Sequence, residues 1–252
     1  MTDPAIPAAT LVLFRDRADA PPELLMVERA GSMAFAAGAL VFPGGRIDPA
    51  DRELAAAIGG ALDPDDAAGR VAAIRETIEE SGVAPALDPL PGGEALAELR
   101  ARLHEGMALG DALAIAGIAP LLDRLEPFAR WRPNFKEART FDTRFYLAEL
   151  PEGAPEPVVD ATENVRVFWA GAAEVIAACD RGEGKIIFPT RRNLERLAQF
   201  ADFAAAVAHA RTVAPETITP WIEERDGERL LCIPEDRGYP VTSEKLASAM
   251  RG

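Results

Sequence analysis

Three carboxylates in five residues, Glu76, Glu79 and Glu80, are the first place to look for chemistry in this chain. On a helix at about 100° per residue, with Glu76 at 0°, Glu79 falls at about 300° and Glu80 at about 40°. All three share one face, while Val71, Ile74 and Ile78 fall on the opposite, core-facing side. Like charges at this spacing repel one another, and a hard divalent cation with oxygen ligands relieves that repulsion. Arg75 lies four residues before Glu79, within reach to orient it. An ordinary solvated acidic stripe explains the helix alone equally well. Upstream, Phe42-Pro43-Gly44-Gly45 follows an apolar run, and paired glycines let the backbone approach a ligand closely.

The elements that must hold these groups alternate without a regular βαβ rhythm. Strands are expected over 9–14, 23–29 and 39–42, with Arg15 to Pro22 as the turn of an opening hairpin. Helices are expected over about 50–60, capped by Asp48, and 65–81, stopped by Gly82. A Pro/Gly-rich loop at 85–93 leads to helices at 94–106 and 110–116. Strands follow at 118–126, 141–149 and 164–169, then helices at about 171–181 and from Thr190 to about His209. Asp226-Gly227 between two strand-like runs signals a C-terminal hairpin. The pattern fits an α+β chain or a layered α/β/α sandwich.

Bulk composition narrows the class. The 252 residues carry 41 Asp plus Glu against 27 Lys plus Arg, a net charge of -14. Such a chain is a poor nonspecific nucleic-acid binder, because phosphate contacts need clustered cations. A polyanionic small molecule remains a fitting ligand if metal neutralises it locally. Cys179 and Cys232 form no Cys-x-x-Cys, and the two histidines, His104 and His209, are far apart. Any metal is therefore expected on oxygen ligands, which suits Mg2+ or Mn2+. No apolar run approaches the roughly 20 residues of a membrane span, and the N-terminus lacks the features of a signal peptide. The expectation is a soluble cytoplasmic protein without a membrane or nucleic-acid partner.

The glycine turn and the carboxylate helix together resemble the Nudix hydrolase signature: Gly, five residues, Glu, seven residues, then Arg-Glu, an apolar residue, any residue, Glu-Glu, any residue, Gly and an apolar residue. Here the second half reads Arg75-Glu76-Thr77-Ile78-Glu79-Glu80-Ser81-Gly82-Val83, and the first half runs from Gly45 to Asp51. Asp51 replaces the first Glu, and Thr77 replaces the usual bulky apolar residue. Residues 52–74 separate the halves, 16 more than the signature has. An interrupted box of this kind resembles the branch that holds peroxisomal coenzyme A diphosphatase-like proteins and bacterial relatives. Coenzyme A-cleaving members also carry a stretch ending in Phe-Pro-Gly-Gly. This chain matches it at Leu25, Arg29, Ala30 and Gly38 but has Ala34 where the second Arg belongs.

The resemblance implies a Nudix-type α/β/α sandwich with a mixed sheet over 1–205, a box insertion at about 52–70 and a helical insertion at about 94–116. A C-terminal β-hairpin extension at 206–252 packs on it. It implies metal-dependent hydrolysis of the diphosphate bond of a nucleoside diphosphate derivative, coenzyme A or acyl-CoA among them. ADP-ribose or dinucleotide hydrolysis, or a non-catalytic nucleotide-binding regulator, are the alternatives. Carried over by position, Glu79, Glu80, Glu76 and the Gly44 carbonyl hold Mg2+ or Mn2+, and Glu76 and Arg75 serve catalysis, with Glu163, in the loop before the strand ending at Trp169, chosen as the Glu that the family often adds from a later loop. Glu137 is the alternative to Glu163 as the later-loop acid. Arg29, Gly38, Gly45 and Arg144 are the expected substrate groups. On the strand from Thr140 to Tyr146, Arg144 shares a face with Asp142 and either meets a phosphate or pairs with that acid. Thr190 is expected to cap a helix whose first turn holds Arg191 and Arg192. Trp131 and Phe135 are candidates to stack on a base, and the cysteines and histidines read as structural. A homodimer contact or a lid would fall in the insertion or the tail.

Overall fold

The computed structural model describes residues 5–31, 36–133, 140–160 and 163–249. The chain runs β1 (Ile6–Arg17), β2 (Ala20–Arg29), β3 (Leu40–Val41), β4 (Gly44–Arg46), α1 (Pro49–Ile58) and α2 (Pro64–Ser81). It continues through β5 (Leu87–Asp88), α3 (Gly93–His104), α4 (Leu109–Ala116), β6 (Ala119–Pro120), β7 (Glu126–Trp131) and β8 (Phe141–Glu149). Next come β9 (Asn164–Gly171), α5 (Ala172–Asp180), α6 (Phe188–Leu197), α7 (Phe203–Ala210) and β10 (Thr217–Ile218). The tail holds β11 (Trp221–Arg225), β12 (Glu228–Cys232), β13 (Ser243–Lys245) and the short α8 (Leu246–Ala249).

β1 is apolar on both faces, as a strand buried from both sides must be. Ala9, Leu11 and Leu13 point into one core cluster with Val71, Ile74 and Ile78. Val12 and Phe14 point into another with Phe188, Leu194 and Ala206. The main sheet runs β10-β7-β8-β1-β2-β3, with β4 also on β1 and β9 also on β2. β1 is parallel to β8 and antiparallel to β2, so the sheet is mixed. One face packs on α2 with the annex of α1, α3 and α4, the other on α5, α6 and α7. This is the expected α/β/α sandwich.

Three boundaries differ from expectation. The first hairpin is tighter: β1 and β2 pair as far as Arg17 and Ala20, with a register shift beyond Arg15. Pro21 and Pro22 fall in that irregularity, where the ladder does not need their missing N–H groups. The strand expected over 118–126 is a two-residue bridge to β5 and a 3-10 turn at Leu122–Arg124, and the long strand starts only at Glu126. The buried Arg70 guanidinium donates to the Leu122 and Leu125 carbonyls (2.7 and 2.5 Å) and holds the turn. The helix expected from Thr190 to His209 is two helices. Asp202 caps the second through Ala205 N–H (2.7 Å), and Asp16 takes Phe203 N–H (3.0 Å).

The box insertion folds as α1, a turn at Gly59 to Asp63 and the start of α2. Asp48 caps α1, and Gly82 ends α2 in the left-handed region (φ 66°), which glycine adopts without strain. In the tail, β11 and β12 form the expected hairpin, with Asp226 and Gly227 at φ 53° and 77°. β13 pairs with β12, and Leu231, Ile233 and Tyr239 join the second core cluster. Among the described residues no helix is long and apolar enough to cross a membrane.

Candidate active site

α2 is held against the sheet by Val71, Ile74 and Ile78, all fully buried, which turns Glu76, Glu79 and Glu80 outward toward β4. Gly44 N–H donates to Glu80 Oε2 (3.0 Å). A Cβ on Gly45 would collide with the Glu76 carboxylate, so a side chain there would displace that carboxylate from its present position. Thr77 is buried, and its hydroxyl donates back to the Ala73 carbonyl (2.7 Å). It thereby satisfies its polar atom inside the helix.

Arg75, 8 % exposed, is the hub beneath the carboxylates. Its Nε and Nη2 grip the two oxygens of Asp51 (3.0 and 2.9 Å) in a bidentate pair. Nη1 donates to Glu76 (3.0 Å) and Glu79 (2.8 Å), and Nη2 to the Arg46 carbonyl (2.9 Å). Asp51 is 1 % exposed and also accepts Asp48 N–H (2.9 Å). The exchange of Glu for Asp at position 51 therefore leaves the carboxylate with a complete set of partners. Burial opposes the Arg75 charge, but Asp51, Glu76 and Glu79 more than offset this and hold it firmly protonated.

The carboxylates lean the other way. Burial, aided by the Glu80 and Glu79 charges, pushes Glu76 up to about 8 against the pull of Arg75. Burial pushes Glu80 up to about 7, although Gly44 N–H, Asn164 and Arg29 favour its charged form. Glu79 is raised too, again chiefly by burial. These side chains line a cavity of about 700 Å³. Asp48, Asp160 and Glu163 extend its acidic lining, while Phe42, Phe141, Phe145, Ile187 and Pro189 form an apolar one.

The cavity gathers most of the residues expected at a site. Arg29, Gly44, Gly45, Arg75, Glu76, Glu79, Glu80 and Glu163 all line it. Gly38 and Arg144 do not. Gly38 turns the chain into β3 at φ 69°, its N–H on the Arg29 carbonyl (3.2 Å). Arg144 lies against Gly69 of α2, while the alternate positions Thr143 and Phe145 line the cavity. Asp142 pairs with Arg130 (2.7 Å) rather than with Arg144. Thr190 does not cap α6, which starts two residues earlier with Ile187 as its cap. Arg191 and Arg192 are consumed by Asp180, Glu195 and Glu244. Glu137, Phe135 and Ala34 lie outside the described residues.

Two cavity neighbours carried no signal of their own in the sequence. His104, at the end of α3, lines the cavity with Nε2 3.0 Å from the Glu79 carbonyl. Asn164, 1 % exposed, lies beside Glu80, yet neither Nδ2 nor Oδ1 makes a hydrogen bond of regular geometry. Its position directly after Glu163 at a strand start was the only available hint.

Among the described residues no three His, Cys, Asp or Glu side chains converge on one point as a ready metal cage. Glu76 and Glu79 rest on Arg75, and Glu80 on Gly44. The chemistry nevertheless fits a hard divalent ion. The donors are oxygens, the buried carboxylates lack enough compensating charge, and the buried Asn164 amide and Arg29 Nε have no partner. Unpaired buried polar groups of this kind cost about 1–3 kcal/mol each unless a ligand satisfies them.

No family model matches the chain. It is 28 % identical to acyl-coenzyme A diphosphatase NUDT19 of Gallus gallus, over 71 % of this chain and 62 % of that protein. The chain thus spans less than two thirds of that relative. A Caenorhabditis elegans protein described as a nudix hydrolase is 26 % identical over 90 % of this chain and 73 % of its own length. Among solved structures, a NUDIX hydrolase from Alicyclobacillus acidocaldarius superposes with a TM-score of 0.71. It is 32 % identical, covering 82 % of this chain and 97 % of that one.

Proposed function

The chain belongs to the Nudix hydrolase family, and from that premise we propose that it cleaves the diphosphate bridge of a nucleoside diphosphate derivative with Mg2+ or Mn2+. The observation that carries this reading is the convergence of Glu76, Glu79, Glu80 and Glu163 on one cavity, with Arg75 locked beneath them. Glu76, Glu79 and Glu80 would hold the ion, with the Gly44 carbonyl beside them. A bound divalent ion supplies charge neutralisation at the bridging oxygens and acidifies a water.

The protein's own groups do the rest. Water adds across the P–O–P bridge, one P–O bond breaks, and two phosphate esters leave. Glu163, solvent-exposed at the cavity, accepts the proton of the attacking water. Glu76 shares that task when it is not a ligand. Arg75 orients Glu76 and Glu79 so that their geometry is set before substrate arrives. Arg29, with its unpaired Nε, meets a phosphate oxygen.

A coenzyme A-like substrate, acyl-CoA included, is the favoured member of the class. Its support is the likeness to a protein named for acyl-coenzyme A diphosphatase activity and the apolar cavity lining, which suits a non-phosphate arm. The free thiols Cys179 and Cys232 suit a reducing, cytoplasmic setting. A panel of coenzyme A, acyl-CoA, ADP-ribose and dinucleotides, assayed for Mg2+-dependent release of phosphate esters, decides among them. Turnover of coenzyme A compounds above the rest is expected. No turnover of any diphosphate, with nucleotide binding retained, would replace the hydrolase reading by a nucleotide-binding regulator.

A further inference from the structure

The C-terminal segment reaches the cavity through α6. Tyr239 Oη donates to Asn193 Oδ1 on α6 (2.8 Å) and accepts from Trp131 Nε1 (3.0 Å), which also points at Asn193 Oδ1 (3.3 Å). The Trp131 ring stands edge-on to Tyr239 and to Phe188, the first residue of α6, at 5.6 and 6.1 Å. Farther along the tail, Glu244 pairs with Arg192 (3.0 Å), and the Val241 carbonyl accepts from the same guanidinium (3.5 Å). Helix α6 is therefore clamped by the tail at two successive residues.

The first turn of the clamped helix is cavity wall. Ile187, Pro189 and Thr190 line it, as do the ring-bearing positions Phe141 and Phe145 of β8. Thr190 is 3 % exposed, and its hydroxyl makes no hydrogen bond to a described residue. This turn is not an anion site: Pro189 has no N–H, and Arg191 and Arg192 are bound to acids. An unpartnered hydroxyl in a wall that mixes rings with the hydroxyl-bearing Thr140 and Thr143 instead matches a planar group with a hydrogen-bonding edge.

We propose that Thr190 contacts the nucleobase of the substrate, and that Tyr239 is a positioning residue that holds α6 and Trp131 so that Thr190 meets it. The inference rests on the diphosphatase reading for its substrate, but base recognition can be measured without turnover. A site that offers a hydrogen bond penalises its loss, whereas a purely apolar wall does not.

The test compares wild type with Thr190→Val, Thr190→Ser and Tyr239→Phe. With the best substrate of the panel and Mg2+, Thr190→Val should raise KM about tenfold with kcat within about twofold, and Thr190→Ser should restore the wild-type KM. Tyr239→Phe, which keeps the ring, should raise KM by about threefold with kcat unchanged. A Thr190→Val enzyme with wild-type KM overturns the contact, and a Tyr239→Phe enzyme that only loses thermal stability overturns the positioning role. Calorimetric binding of ADP, with inorganic diphosphate as control, separates this inference from the hydrolase reading. If no diphosphate is turned over but Thr190→Val weakens ADP about tenfold and leaves diphosphate unaffected, hydrolysis fails and the base contact stands. Equal ADP affinity in both proteins, or no ADP binding by wild type, overturns it.

Discussion

Two buried guanidinium groups, Arg75 and Arg196, are sealed to a similar degree, at 8 and 1 % exposure, and are treated oppositely by their surroundings. Arg75 meets the carboxylates of Asp51, Glu76 and Glu79, so its charge is strengthened. Among the described residues Arg196 has no carboxylate partner. It donates to the Phe128 carbonyl (3.0 Å), points at His209 Nδ1 (3.3 Å), and lies over the Phe128 and Tyr239 rings. Burial lowers its pKa, and its Nε has no partner. On the acidic side, position is set by directional ion pairs. Around Arg196, it is set by ring packing and single hydrogen bonds, which tolerate small adjustments.

The carboxylate that Arg75 leaves untouched should matter most to turnover. Glu80→Gln is expected to lower kcat/KM on the order of 10³-fold, with an unchanged circular-dichroism spectrum, because the proposed metal ligand is lost. Full activity in that variant would remove Glu80 from the site. Next in size, Arg75→Met leaves the buried Asp51 carboxylate with only the Asp48 N–H and no opposite charge, and should cost about 3–5 kcal/mol in urea unfolding. Arg196→Met strands a carbonyl and an imidazole nitrogen but no buried carboxylate, and should cost about 1–3 kcal/mol; equal losses would erase the contrast. Asn164→Ala removes an amide that has no regular hydrogen bond, so stability should stay within about 0.5 kcal/mol. Its Mg2+ affinity should fall about tenfold in calorimetry, as for groups that support a metal ligand.

The gentlest test is pH. Glu76 is raised in the folded protein to about 8 from an ordinary 4.5. The folded state thus binds a proton that the unfolded chain has released between those values. Stability from this group is complete below pH 4.5 and is lost as pH rises toward 8. In chelator, the melting temperature should drift down from pH 5 to 8. Saturating Mg2+ should flatten the drift, because metal binds the deprotonated carboxylates. A melting temperature in chelator that climbs over that range would contradict the burial assigned to Glu76.

Local signals carried much of this to the sequence reader. The helical angle of Glu76, Glu79 and Glu80, the stop at Gly82, the cap at Asp48 and the Asp226-Gly227 hairpin each depend on a few adjacent residues. What escaped depends on distant partners. Arg70 reaches 52 residues along the chain to bend the segment before β7. Asp16, 187 residues away, helps start α7 through Phe203 N–H. Arg144 was placed on the right face of its strand relative to its neighbours, but alternation alone does not say which face meets the cavity. His104 and Asn164 became visible only once α3 and β9 were laid beside α2.

The clamp of the tail on α6 has a consequence for how the protein is made. The carboxylate helix and its glycine turn are complete by residue 82, whereas the turn bearing Thr190 is tied down by Tyr239 and Glu244. A growing chain therefore carries its acidic groups long before this wall of the cavity can be secured. The acidic turn of α2 is thus synthesised well before the segment that ties α6 in place.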